Sequence, residues 1–208
     1  GPKSLVVLGE LALYGTPRGR PWSKLLRPIS PASSNTNDQT LLYVEGRVDD
    51  WLPGEEVIVT STSHDAAEME VRRIVSVSVD TVSVKAGGGV RFRSLVRVDA
   101  PFNHTHHGAA SLSPQLRAEV GLLSRNIAIK GVDGSAEEAA DSFGAHVRLD
   151  LIPKMLRGTN VQTGGNSVLS WISLDRGGQS RTERPALLLG SGTNFRQSSI
   201  TGIVVTGS

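Results

Sequence analysis

Between Val71 and Val84 the chain alternates valine with small polar residues. Val75, Val77 and Val79 are separated by Ser76 and Ser78, Asp80-Thr81 interrupts, and Val82 and Val84 resume around Ser83. An apolar residue at every second position turns one face of a strand to a core and the other to water, a period that no helix satisfies. The interruption predicts a tight turn at Asp80-Thr81 and hence two half-buried strands, with the valines inward and Ser76, Ser78 and Ser83 outward. Aromatic residues make up only 4% of the chain. A core must therefore be assembled from β-branched and small side chains, which again favours sheets. At 208 residues the chain can bury one substantial core or two smaller ones.

The rest of the chain has the same texture. Leu5 to Tyr14 reads as an opening strand, broken by the stretch from Thr16 to Trp22; a Pro/Ser/Asn loop runs from Pro28 to Gln39, and Thr40 to Val44 resumes β character. Pro53-Gly54 predicts a turn, because proline presets its first corner and glycine accepts positive φ at the second. A strand is expected from Glu55 to Thr60 and another from Leu95 to Val98, with Gly87 to Gly89 as a flexible turn and a short helical fragment at Ser135 to Ala140. After Thr163 come short β segments punctuated by Gly and Asn: Ser167 to Leu174, Ala186 to Leu189 and Ser199 to Val205. Such segments suit the stacked coils of a parallel solenoid, with a two-sheet sandwich as the alternative. The last segment has no evident cap, so further coils are expected to follow. Gly1-Pro2 reads as the scar of a cleaved tag.

Charge narrows the function classes. Twenty-two basic and twenty acidic residues leave a net +2, the arginines are scattered, and no Lys/Arg run accompanies the few aromatics. Nucleic-acid binding is therefore not expected. No apolar run is long enough for a membrane span. With no cysteine, disulfides and thiolate metal sites are ruled out.

Three stretches share a more particular pattern: Val48 to Thr62, Arg117-Ala-Glu-Val-Gly-Leu-Leu-Ser-Arg-Asn-Ile-Ala-Ile-Lys-Gly131, and Gly144-Ala-His-Val-Arg-Leu-Asp150. In this order, across roughly Leu11 to Asp150, they resemble the G-eight domain of fibrocystin-type receptors and of the cell migration-inducing and hyaluronan-binding protein family. The resemblance implies an all-β chain: a G-eight-like region at 1–162, then the first rungs of a right-handed parallel β-helix at 163–208. It also implies an extracellular or cell-surface setting. The function expected is a structural and recognition module of a larger receptor-like protein, binding glycan or protein; the alternative is part of a hyaluronan-degrading enzyme. The lack of cysteine departs from the animal members. Read by itself, Glu119 to Ile129 is dense enough in apolar residues for a strand buried on both faces, with Arg125-Asn126 at a corner where the Asn side chain can bond main-chain groups.

Several residues could carry chemistry. Asp49, Asp50, Glu55, Glu56 and Asp65 cluster around one corner beside Trp51. Asp49 and Asp50 are candidate catalytic carboxylates for glycosidic cleavage and Trp51 a candidate sugar-stacking surface. The structural reading makes the aspartates turn caps and Trp51 a core filler. Arg91, Arg93 and Arg97 on one strand would share a face able to bind an acidic polysaccharide, or simply be solvated. His104, His106 and His107 could hold a divalent metal, or be polar loop residues. Asn103-His104-Thr105 is an N-glycosylation sequon. No other cofactor is implied.

Overall fold

A computed structural model describes residues 4–31, 39–83, 90–108, 116–131, 144–150, 154–156, 159–161, 167–179, 183–190 and 198–206. The chain is all-β, with parallel and antiparallel sheets. It forms two compact units: Arg18–Ser124, and Gly1–Pro17 together with Arg125–Ser208. This division differs from the boundary at 162/163 drawn from the sequence. The helix expected at Ser135 to Ala140 and the turn at Gly87 to Gly89 lie outside the described residues.

The discontinuous unit holds β1 (Ser4–Leu8) and β2 (Leu11–Tyr14). Residues 18–124 then supply β3 (Trp22–Lys24), β4 (Leu41–Glu45), β5 (Glu56–Val59), β6 (Glu70–Ser83), β7 (Val90–Val98) and β8 (Glu119–Leu122). The first unit resumes with β9 (Ile127–Lys130), β10 (His146–Asp150), β11 (Lys154–Leu156), β12 (Thr159–Val161), β13 (Ser167–Ser170), β14 (Ile172–Asp175), β15 (Leu187–Leu189), β16 (Ser199–Thr201) and β17 (Val204–Thr206).

In the discontinuous unit, nine strands form three sheets of three, in the orders β1-β10-β15, β2-β13-β16 and β9-β14-β17, and every pairing in them is parallel. β11 and β12 form a separate antiparallel hairpin. Register stacks like on like: Leu5, Val147 and Leu187 align, as do Val7, Leu149 and Leu189. The middle strands are the most deeply buried, with Val147, Leu149, Leu169, Ile172 and Leu174 forming the core. Between β13 and β14 the chain turns through one residue, Trp171, at φ 55, and between β16 and β17 Gly202 has φ 62. Gly15 follows β2, where a Cβ would lie 1.9 Å from the Trp171 carbonyl oxygen. Across from it Asn126 accepts a hydrogen bond from Thr16 N at 2.7 Å, the main-chain role its amide suits.

The contiguous unit is antiparallel throughout, in the order β3-β8-β5-β6-β7-β4. Its two outer strands meet as well: Leu25 bridges Val44, and Leu26 N donates to the Tyr43 carbonyl at 2.7 Å. Closing a sheet in this way removes its free edges. Inside lie Leu42, Val44, Val57, Val59, Ile74, Val96, Val98, Val120 and Leu122, with Trp51 and Phe102 as the largest fillers.

The valine segment differs from the expectation in two respects. β6 runs unbroken through Asp80-Thr81, because both residues stay paired with β7, opposite Arg93 and Phe92. Register slips between Ile74 and Ser76, a β-bulge that gives one strand an extra residue and turns Val75 outward, 50% exposed. Val77 still packs against the core, and Val79 is half-buried. The stretch from Arg117 to Gly131 is likewise not one doubly buried strand. It is divided between the units: β8 buries Val120 and Leu122 in one, and β9 stacks on β14 in the other.

Candidate functional site: an arginine-lined cleft

An open cleft of about 770 Å³ lies in the contiguous unit, lined by Gly19, Arg20, Glu45, Gly46, Arg47, Asp49, Asp50, Arg91 and Phe92. The end of β4, the turn after it and the start of β7 supply most of these residues. The turn is fixed from inside. Ser94, fully buried on β7, donates to the Gly46 carbonyl at 2.9 Å and accepts from Val48 N at 3.0 Å. Gly46 N donates to the Phe92 carbonyl at 2.9 Å. Gly46 has φ 77, and a Cβ there would sit 2.8 Å from the Arg20 guanidinium carbon. The glycine thus both permits the turn and leaves room for Arg20 to lie over it.

Each acidic group of the cleft is already engaged. Glu45 Oε2 pairs with Arg117 at 3.1 Å. Asp49 pairs with Arg47 at 2.6 Å; the Arg47 hydrogen bond, with one inside Asp49 itself, holds that carboxyl below the ordinary carboxylate range. Asp50 accepts from Gly19 N at 2.7 Å, its carbonyl accepts from Arg18, and Trp51 N donates to the Val48 carbonyl at 3.1 Å. Arg20 donates to the Glu45 carbonyl at 3.2 Å, and no described carboxylate forms an ion pair with Arg20 or Arg91. Arg20 and Arg91, both exposed, therefore keep their charge available to the cleft, whereas Arg47 is held by Asp49. Phe92 is 40% exposed, with the Arg47 guanidinium 5.2 Å from its ring.

The structure brings Asp49, Asp50 and Arg91 of the sequence candidates into this cleft, and separates the others from it. Trp51 is 1% exposed and its indole N–H donates to the Arg20 carbonyl at 2.8 Å, so it presents no ring face to a sugar. Arg93 and Arg97 do lie on β7 with Arg91, on the face opposite the buried Ser94 and Val96. Arg93 is paired with Asp80 at 2.5 Å and lies 5.6 Å from the Tyr43 ring, and Arg97 reaches Thr40 at 3.5 Å. The sequence reading missed Arg20, Arg47 and Phe92; the signal was Gly46, a glycine ending a strand between two arginine-bearing segments.

The histidines have separate environments. His106 is fully buried, its Nδ1 3.0 Å from the Thr60 carbonyl and its Nε2 3.1 Å from Glu70. His104 lies 3.9 Å from Glu68, and His107 uses its backbone N–H to reach Thr62. Among the described residues, no three side chains able to ligate a metal come together. Glu70 is the centre of this region: Asn103 N, His104 N, His106 and Arg72 all converge on its carboxylate. Burial pushes Glu70 up, but the Asn103 and His104 amides, His106 and Arg72 outweigh it and bring its pKa from 4.5 to about 2.

No family model matches the chain. The chain is similar to fibrocystin-L. It is 31% identical to the mouse protein over 186 residues, 86% of this chain and 4% of that one. With human fibrocystin-L it shares 34% identity over 155 residues, 71% of this chain and 3% of that one. The human cell migration-inducing and hyaluronan-binding protein is 27% identical over 163 residues, 70% of this chain and 11% of the relative. The chain thus spans only a small part of the length of each relative. No helix among the described residues is long and apolar enough to cross a membrane.

Proposed function

We propose that this chain is an extracellular recognition module of a larger surface protein, in which the arginine-lined cleft binds an acidic group of a glycan. One observation carries the reading. Every carboxylate of the cleft is engaged with a protein partner, whereas Arg20 and Arg91 meet no described carboxylate beside the exposed Phe92 ring. A guanidinium offers paired donors to a planar carboxylate, and an aromatic face accepts a sugar ring. Similarity to a relative named for hyaluronan binding makes a uronic-acid polysaccharide the first ligand to try. Arg93 and Arg97 extend the same strand face and would add a peripheral contact; metal at His104, His106 and His107 is not needed.

The architecture expected from the sequence is a G-eight-like region at 1–162 and the first rungs of a right-handed parallel β-helix at 163–208; of this we retain the right-handed parallel β-helix. The three parallel sheets support the coils but not a start at 163, with β1, β2 and β9 as the first coil, β10, β13 and β14 as the second, and β15, β16 and β17 as the third. On this reading residues 18–124 are inserted in the chain between β2 and β9.

A hyaluronan-degrading role is the second reading, favoured by Asp49 and Asp50 lying in the same cleft as Arg91. Glycosidic cleavage needs one carboxyl kept protonated as an acid. Asp49 is held ionised by Arg47 and Asp50 is fixed on Gly19 N, which argues for recognition. The test is incubation with fluorescent hyaluronan, reading both binding and chain length. Binding that falls at least tenfold in Arg20→Ala/Arg91→Ala, with chain length unchanged, supports recognition. Shortening abolished by Asp49→Asn or Asp50→Asn would establish the enzyme instead.

A further inference from the structure

The sequon Asn103-His104-Thr105 sits in a loop whose backbone and side chains face opposite ways. The amides of Asn103 and His104 are turned inward onto Glu70, at 2.9 Å from Oε1 and Oε2 respectively. Phe102 and His106, on either side, are buried and meet edge to face with ring centroids 5.5 Å apart. Two buried rings and two inward amides clamp the loop. Between them the side chains of Asn103 and Thr105 are exposed, and no hydrogen bond to a described residue engages the Asn103 amide or the Thr105 hydroxyl. The two groups that the sequon requires are thus held outside, free of hydrogen bonds to the described residues, on a fixed base.

From this we infer that Asn103 is an N-glycosylation site. The chemistry balances with a lipid diphosphate-linked oligosaccharide as donor. Asn103 Nδ2 bonds to the anomeric carbon, the bond from that carbon to the diphosphate oxygen breaks, the lipid diphosphate leaves with the electron pair, and Nδ2 gives up one proton. The position is compatible with recognition. β7 carries Arg91 and Phe92 at its start, and Asn103 follows its other end, so from Arg91 to Val98 the strand alone separates cleft from sequon by roughly 20 Å. A glycan at Asn103 therefore stands at the opposite end of the sheet and leaves the cleft open.

The inference rests on the proposed extracellular setting, and the experiment separates the two. The full chain is expressed behind a cleavable secretion signal in animal cells, and both medium and cell lysate are treated with peptide N-glycosidase. A mobility shift of one oligosaccharide is expected, absent in Asn103→Gln and Thr105→Ala, and retained in His104→Ala. Because the hydrogen bonds of Asn103 to described residues run through its backbone, Asn103→Gln should melt with the unglycosylated protein, which separates lost modification from lost folding. A chain secreted without a glycan would overturn the site while leaving the extracellular reading standing. A chain retained in the cells yet glycosylated at Asn103 would support the site and count against that reading. A chain retained and unmodified would overturn the site.

Discussion

Replacing Glu70 with glutamine tests how the contiguous unit is held together at one end. Glu70 is 7% exposed and accepts from two backbone amides, Arg72 and His106. Its pKa in the folded chain is about 2 against an ordinary 4.5. At roughly 1.4 kcal/mol per pH unit, the ionised carboxylate contributes about 3 kcal/mol of stability. The folded value is depressed, so this contribution is complete above 4.5 and disappears as pH falls from 4.5 towards 2. Glu70→Gln removes the charge and leaves the inward amides and Arg72 facing a neutral group with its own donors. It should cost about 2–4 kcal/mol at pH 7. The assay is urea unfolding of both proteins at intervals from pH 7 to pH 2.5. Other carboxylates titrate in both, so the wild-type-minus-variant difference isolates Glu70. That difference should shrink steadily below pH 4.5. A difference that stays constant down to pH 2.5 would refute the reasoning, because stability would then not depend on the charge of Glu70.

Val77→Asp should destabilise by about 3 kcal/mol, since Val77 packs on the core, whereas Val75→Asp at the exposed bulge should change stability by about 0.5 kcal/mol or less; thermal melts of the pair check the register. Gly15→Ala should cost about 3 kcal/mol, because the new Cβ would fall 1.9 Å from the Trp171 carbonyl oxygen and the backbone there must shift; urea unfolding reads it. Gly46→Ala should weaken glycan binding by displacing Arg20 from above the turn, measured by titration calorimetry on protein shown to be folded.

Some of this was legible from residues alone. Pro53-Gly54 does turn, with Gly54 at φ 88, and Trp51 fills the core, whereas Asp50 bonds the distant Gly19 amide and Asp49 pairs with Arg47. The segments after Thr163 pair in parallel because their short apolar runs stack in register on β10, β2 and β9. Other features were not legible because they depend on pairing across the chain. Asp80-Thr81 looks like a turn in isolation, but Arg93 opposite pairs with Asp80 and keeps the strand going. The bulge at Ile74 leaves no mark in the valine period, yet it decides which side Val75 faces. Local pattern also could not show that residues 117–131 cross from one compact unit to the other, because both halves are equally strand-like. The cleft was half visible: Asp49, Asp50 and Arg91 were named, but Arg20 and Arg47 join them only through the turn that Ser94 fixes.

The measurement that bears most directly on the central claim is a titration of the isotopically labelled chain with a short uronic-acid oligosaccharide, following arginine side-chain N–H resonances by nuclear magnetic resonance. The guanidinium signals of Arg20 and Arg91 should shift first and saturate together, and added salt should weaken the binding. Saturable shifts confined to residues outside the cleft, or none at millimolar ligand, would contradict the assignment of the arginine-lined cleft as the recognition site.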